Sequence, residues 1–177
     1  MTDKAWRWAQ LQEAHPDFAA GVRQRFAAYR HHVLGTLRAD GSPRLTGLEA
    51  DIRDGELWLG MMPNSRKVLD LRRDPRFALH ANPGSGSEAE MAYGDVRVSG
   101  LAVEVTDAET MARYTAGVPD GEVPEVFHLF RAELTEVVRT SLDLEGTPEM
   151  VFEVWCPGRP LRVLRRTNDD SPPREDG

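Results

Sequence analysis

Two Asp-Gly turns, each set between short apolar runs, constrain this chain more than any other feature. His32-Val33-Leu34-Gly35-Thr36-Leu37 leads into Ala39-Asp40-Gly41-Ser42, and a run from Arg44 to Ile52 follows. Arg53-Asp54-Gly55-Glu56 turns again and opens Leu57-Trp58-Leu59-Gly60-Met61-Met62. Asp-Gly supplies the positive backbone φ that tight hairpins require, so the spacing predicts three antiparallel strands in a meander. The apolar side of the middle strand is marked unevenly, by Leu45, Gly47 and Ile52.

The flanking pattern is consistent with that start. Phe18, Val22, Phe26 and Tyr29 recur at helical spacing with arginines between them, and Pro16 stands just before. This predicts an amphipathic helix over 17–30. Asn64 or Ser65 caps a helix of about two turns through Arg66-Lys67-Val68-Leu69-Asp70-Leu71-Arg72-Arg73, which Asp74-Pro75 stops. Phe77 and Leu79 mark a fourth strand, and residues 82–90, rich in Gly and Ser, form a loop. Val96, Val98, Leu101, Val103 and Val105 mark a fifth strand whose alternation slips at Gly100, the signature of a bulge.

Thr106-Asp107-Ala108-Glu109 has capping-box spacing and begins a helix that ends near Gly117. A short helix is expected over 124–132, then strands at 136–142, 150–155 and 161–164. With seven or eight short strands, a chain of this kind closes into a barrel or forms a sandwich to avoid exposed edges, and the helix inserted after the third strand favours a barrel whose openings the helices plug. The expected organisation is an N-terminal helical segment (1–32) packing on an antiparallel barrel (33–166). A polar, proline-containing tail (167–177) is expected to be disordered.

Composition narrows the function. The 177 residues carry a net charge of −7, which argues against a general nucleic-acid surface, so any basic patch is local. Cys156 is the only cysteine, which excludes an internal disulfide and a thiolate metal cage. No stretch approaches the roughly 18 apolar residues of a membrane span, and residues 1–8 lack the apolar core of a signal peptide. The expected location is cytoplasmic. Against twenty arginines stand two lysines, Lys4 and Lys67.

The strongest candidate for chemistry is Ser65-Arg66-Lys67. A helix N-terminus presents unpaired N–H groups and partial positive charge. A hydroxyl, a guanidinium and an ammonium added there suit a phosphate. Read as a plain surface helix, the same cations oppose the helix dipole at a small electrostatic cost. Arg44, Thr46 and Gly47 on the second strand line a groove in a second candidate, the glycine admitting a flat ring to the backbone; an edge strand with a bulge glycine is the plain alternative. The five histidines, at 15, 31, 32, 80 and 128, make no zinc-binding spacing. The adjacent pair His31-His32 reads as the end of a helix entering a strand, or as a reach toward haem.

Taken together, VLGTLRADGSPRLTGLEA (33–50), DGELWLGMMPNSRKVLDLRRDPRFALHA (54–81) and GDVRVSGLAVEV (94–105) resemble the pyridoxamine 5′-phosphate oxidase-related split β-barrel proteins, which bind FMN or the deazaflavin F420. The resemblance spans roughly residues 15–165 and is most specific at SRK followed by LRRDPR. It implies a split β-barrel homodimer with cofactor sites at the subunit interface. Ser65, Arg66 and Lys67 would hold the phosphate. Thr36, Arg44, Thr46 and Gly47 would run beside the ribityl chain and ring, and Gly60, Met61 and Met62 would floor the ring. Trp155 and Arg159 would approach from the partner subunit.

The chain also departs from the family pattern. Arg159-Pro160-Leu161-Arg162 does not match the Arg-Leu-x-Pro segment with which true pyridoxamine phosphate oxidases grip substrate. Glu49 stands where many members carry an aromatic residue. The implied activity is an FMN- or F420-dependent oxidoreductase exchanging hydride with a small organic substrate, other than vitamin B6 oxidation. The alternative is a flavin or haem carrier without turnover. No catalytic residue is assigned.

Overall fold

Both Asp-Gly turns form where the sequence puts them. Gly41, Asp54 and Gly55 take φ of 81°, 53° and 73° in the computed structural model, which describes residues 5–87, 90, 94–118 and 124–176. Helices α1 (Trp8–Ala14) and α2 (Pro16–Ala27) precede strands β1 (His32–Leu37), β2 (Pro43–Leu48), β3 (Ala50–Arg53) and β4 (Glu56–Met61). Helix α3 (Arg66–Arg73) leads to β5 (Arg76–His80) and β6 (Asp95–Glu104). Helix α4 (Ala108–Ala116) precedes β7 (His128–Asp143), β8 (Glu149–Trp155), β9 (Arg162–Thr167) and β10 (Arg174–Glu175).

The expected single second strand breaks at Glu49. Its first half pairs with β1, Thr36 opposite Arg44, and its second half pairs with β4, Asp51 opposite Trp58. The meander is therefore two hairpins joined at a corner. A strand that must pass from one sheet direction to another does so through such a bend.

All neighbours pair antiparallel in the order β2-β1-β5-β6-β7. The sixteen-residue β7 is the branch point. Residues 128–131 pair with β4 and residues 137–143 with β8, so one strand joins two partners in succession. Strands β4 and β3 curl back toward β2 without a ladder between them, and the sheet is a split antiparallel barrel. Strands β8, β9 and β10 continue away from it as an extension. The expected bulge lies between Ser99 and Gly100. A Cβ at Gly100 would stand 2.2 Å from the Glu133 carbonyl oxygen, so the register shift requires glycine there.

Inward residues of the barrel, among them Leu34, Leu59, Leu79, Val98, Phe130 and Val137, are buried. Helix α2 adds Phe18, Val22 and Phe26 at the predicted spacing, each contributing roughly 1.5–3 kcal/mol by burial. Tyr29 falls beyond the helix end. Helix α1 was not expected. Its seven residues hold only Trp8 and Leu11 as a stripe, too short for periodicity, and its N-cap is Arg7. The strand backbone is tied to this segment where the Leu134 N–H donates to the Trp6 carbonyl, 2.6 Å.

Two other expectations are corrected. The apolar run expected as a helix over 124–132 instead enters β7 at His128, held by β4 on one edge and β6 on the other. Runs of this length fit either state, and the two flanking ladders decide it. The tail expected to be disordered turns back so that Arg174 pairs with Arg165 and Glu175 with Leu164. Alternating arginines and acids, which read compositionally as disorder, here complement those of β8 and β9.

Candidate functional site

Helix α3 starts where the chain leaves β4, through Pro63, Asn64 in left-handed conformation (φ 58°) and Ser65. Ser65 occupies the N-cap position with extended backbone, yet its hydroxyl caps nothing. The first turn holds no acid; Arg66 is exposed and Lys67 half-buried.

Two tethers fix α3 over the end of β1 and β2. The Lys67 Nζ donates to the Gly47 carbonyl at 2.6 Å. Asp70, 3% exposed, accepts from Thr36 Oγ1 at 3.0 Å and Arg44 Nε at 2.6 Å through one oxygen, and from Arg73 at 3.1 Å through the other. Burial pushes the Asp70 carboxyl up, but the bonds from Arg44, Arg73 and Thr36 outweigh it and hold it below the usual carboxylate range. Burial lowers the Lys67 ammonium, so a bound anion would favour its charged form. Thr46 Oγ1 and Ser65 Oγ are both buried without a hydrogen-bond partner.

Beside this junction lies a cavity of about 700 Å³ reaching from Lys67 and Gly47 to α4. Gly60, Met61 and Met62 form part of its wall. A Cβ at Gly47 would meet nothing within 4 Å, and one at Gly60 would meet only the Tyr114 hydroxyl at 3.7 Å. Glu49 stands at the rim in an ion pair with Arg30 (2.9 Å), its other oxygen 3.3 Å from His31 Nε2. The Arg53 guanidinium lies 4.3 Å from the Tyr114 ring centroid, donates to the Tyr114 carbonyl at 2.5 Å and pairs with Asp51 at 2.9 Å. Burial, with Asp51, raises the Tyr114 phenol pKa.

The structure thus brings Thr36, Arg44, Thr46, Gly47, Ser65, Arg66 and Lys67 to one α3–β2 junction and places Gly60, Met61 and Met62 on the adjoining cavity wall. Trp155 is not among them. It is 1% exposed, in the core, edge-on to Trp6 at 5.9 Å; a tryptophan at the end of an alternating strand is claimed by the core. Arg159 is exposed in the turn after β8, where its N–H donates to the Cys156 carbonyl. The histidine pair splits. His31 faces the cavity, whereas His32 is buried against Phe26 and accepts from the Asn82 N–H. Among the described residues no group of three metal-ligating side chains occurs.

Sequence reasoning missed Asp70, Arg53 and Tyr114. Asp70 carries a signal, as the one acid among five cations of α3 and its N-terminal turn (Arg66, Lys67, Arg72, Arg73) and β2 (Arg44). Arg53 and Tyr114 meet only through tertiary packing.

Residues 19–141 match the family described as pyridoxamine 5′-phosphate oxidase. Among solved structures, PhzG from Burkholderia lata 383, in complex with tetrahydrophenazine-1-carboxylic acid, superposes with a TM-score of 0.55 at 13% identity, covering 94% of each chain. A conserved hypothetical protein of Mycobacterium tuberculosis gives 0.54 at 25% identity over 67% of this chain and 81% of that one. A heme binding protein from Mycobacterium smegmatis gives 0.52 at 17% identity over 83% and 57%. A search of curated proteins returns no match.

Proposed function

This chain belongs to the pyridoxamine 5′-phosphate oxidase family, and from that premise we propose that it is an oxidoreductase holding FMN, or alternatively F420, at the α3–β2 junction. The observation that carries this is the pair of buried, unpartnered hydroxyls, Thr46 and Ser65, on the two elements that also bring Arg44, Arg66 and Lys67. A buried polar atom without a partner costs roughly 1–3 kcal/mol, and a phosphate oxygen offsets that cost at both positions. These residues fit the group. Ser65, Thr46, Arg66 and Lys67 bind its oxyanion, and Arg44 adds its guanidinium.

The open Cβ position of Gly47 and the wall of Gly60, Met61 and Met62 admit a flat ring. When bound, the cofactor supplies the hydride chemistry, and the chain's own residues bind it, orient it and exclude water. The substrate is a small organic molecule that shares the cavity. The working unit is a homodimer in which Arg159 reaches the partner's site. Among the described residues no helix is long and apolar enough to cross a membrane, and the compartment proposed is the cytoplasm.

A second reading, a haem carrier, rests on His31 at the cavity wall. With His32 buried, it has a single histidine, itself 3.3 Å from Glu49. Titration of the purified protein with FMN, F420 and hemin separates the readings. Saturable binding of FMN or F420 is expected. A hemin Soret shift lost in His31→Ala, with neither flavin bound, would establish the carrier instead.

A further inference from the structure

Asp70 is a carboxylate set beneath a site read as anion-binding, where its own charge is unfavourable. Its place needs an account. It is 3% exposed and receives donors from three elements: Thr36 of β1, Arg44 of β2 and Arg73 of α3. Arg73 is further anchored by a bond to the Leu37 carbonyl at 2.5 Å. The Arg44 side chain is engaged through Nε alone, and its terminal nitrogens make no hydrogen bond among the described residues. Arginine carries five N–H donors in a rigid fork. A carboxylate on Nε fixes the plane of that fork and leaves its terminal pair for a second acceptor.

We infer that Asp70 is the positioning residue of the anion site, acting through Arg44: it holds the guanidinium edge-on so that the terminal nitrogens face the bound phosphate. Thr36 serves the same carboxylate and acts at second hand. This assigns Thr36 a role different from the direct cofactor contact that the family resemblance implies. The inference rests on the phosphate reading above. Asp70 does not itself touch the ligand.

The test is the affinity for FMN compared with riboflavin, which lacks the phosphate, in wild type, Asp70→Asn, Arg44→Ala and the double variant. If F420 is the cofactor bound, its phosphate-free deazaflavin chromophore replaces riboflavin. Asp70→Asn is expected to weaken the phosphate-bearing ligand by about tenfold or more, the scale of a misdirected charge-assisted bond, and to leave the phosphate-free one within about twofold. The double variant is expected to bind no more weakly than Arg44→Ala, because Asp70 has nothing left to orient.

Equal losses for both ligands, or additive losses in the double variant, would show a general support for the fold and overturn the positioning role. Should Asp70→Asn fail to fold, Arg44→Lys serves: it keeps the charge but lacks the fork, and is expected to lose a similar share of FMN affinity while sparing riboflavin. An Arg44→Lys protein that binds FMN as wild type does would sink the inference. Wild type that binds neither FMN nor F420 would remove the cofactor reading and this inference with it, whereas wild-type binding with an insensitive Asp70→Asn would remove the inference alone.

Discussion

The α3–β2 junction and the β8–β10 extension are built from the same residue types and use them in opposite ways. In the extension, Arg162 meets Glu175 at 2.7 Å, Arg165 meets Asp143 and Asp176 at 2.7 Å each, and Arg174 meets Glu149 at 2.7 Å. Three guanidiniums face four carboxylates, and every one of these charges has a partner. At the junction Arg44 and Arg73 share Asp70, and Lys67 meets only the Gly47 carbonyl among the described residues. Arg66 is exposed on the first turn of α3, and two hydroxyls are unpartnered. Balanced pairs in water stabilise little. An excess of cations in which Arg44 and Lys67 are half-buried, by contrast, favours a counter-charge from outside the chain. Arginine content therefore says nothing about a site in this protein; imbalance beside unmet hydrogen bonds does.

The largest effect expected separates the two regions by stability. Asp70→Ala leaves Arg44 and Arg73 without their acid and is expected to cost about 2–3 kcal/mol in urea unfolding, less than a fully buried pair because both arginines keep some water contact. The sign with pH follows from the depressed Asp70 carboxyl. Its contribution is present above the unfolded value of 3.8 and is lost as pH falls through the folded one. The gap between wild type and variant is therefore constant near neutrality and closes only in acid below about pH 4. A loss under about 0.5 kcal/mol would put the junction in the same class as the extension.

Next in size is Lys67→Ala, which removes a charge-assisted contact worth about 1.5–3 kcal/mol. FMN or F420 is expected to bind roughly 10- to 150-fold more weakly, while the phosphate-free chromophore is spared. An unchanged dissociation constant would take Lys67 out of the site and leave it a tether between α3 and Gly47.

How much of this was legible beforehand follows the range of the interactions. The hairpins, the α3 start and the Gly100 bulge rest on local backbone chemistry, and Asp-Gly, the Ser65-Arg66-Lys67 cluster and the slipped alternation expose it directly. The break at Glu49 does not show, since nothing in residues 44–52 marks which partner each half will choose. The apolar run near 124–132 fits helix or strand until β4 and β6 bracket it. At the site, the residue types around the phosphate reading were visible as a cluster, but not that Thr36 and Arg44 converge on Asp70. That convergence joins three elements and has no sequence spacing. Trp155 was misplaced because an aromatic near a presumed interface and an aromatic in the core look alike in one dimension.

His32 offers a sharper cut, because it too carries a buried unpartnered atom, Nε2, away from the junction. If such atoms alone marked a ligand site, His32 would belong to one. Burial is the main cause that lowers its pKa, with His31 and Arg25 beside it adding in the same direction, and neither stands on the α3–β2 junction. The unfolded chain thus takes up a proton near 6.5 that the folded ring refuses, so stability is complete above that pH and declines as pH falls below it. His32→Phe is expected to flatten this slope between about pH 7 and 5 while leaving FMN affinity unchanged. A loss of FMN affinity would extend the site past β1 and weaken the requirement for excess charge.

The smallest effect belongs to the extension. Arg174 touches Glu149 at 2.7 Å and Asp176 at 3.0 Å, but its side chain is 58% exposed. Exposed pairs of this kind contribute about 0.2–1 kcal/mol, and salt at 0.15 M screens them further over a Debye length of about 8 Å. Arg174→Ala is expected to lower Tm by no more than about 2–4 °C, and by less still at 1 M salt, with cofactor affinity untouched. A fall of more than about 2 kcal/mol would mean that β10 fastens the extension as Asp70 fastens the junction. Balance of charge would then no longer distinguish a solvated face from a working one, since both regions would depend on their carboxylates to the same degree.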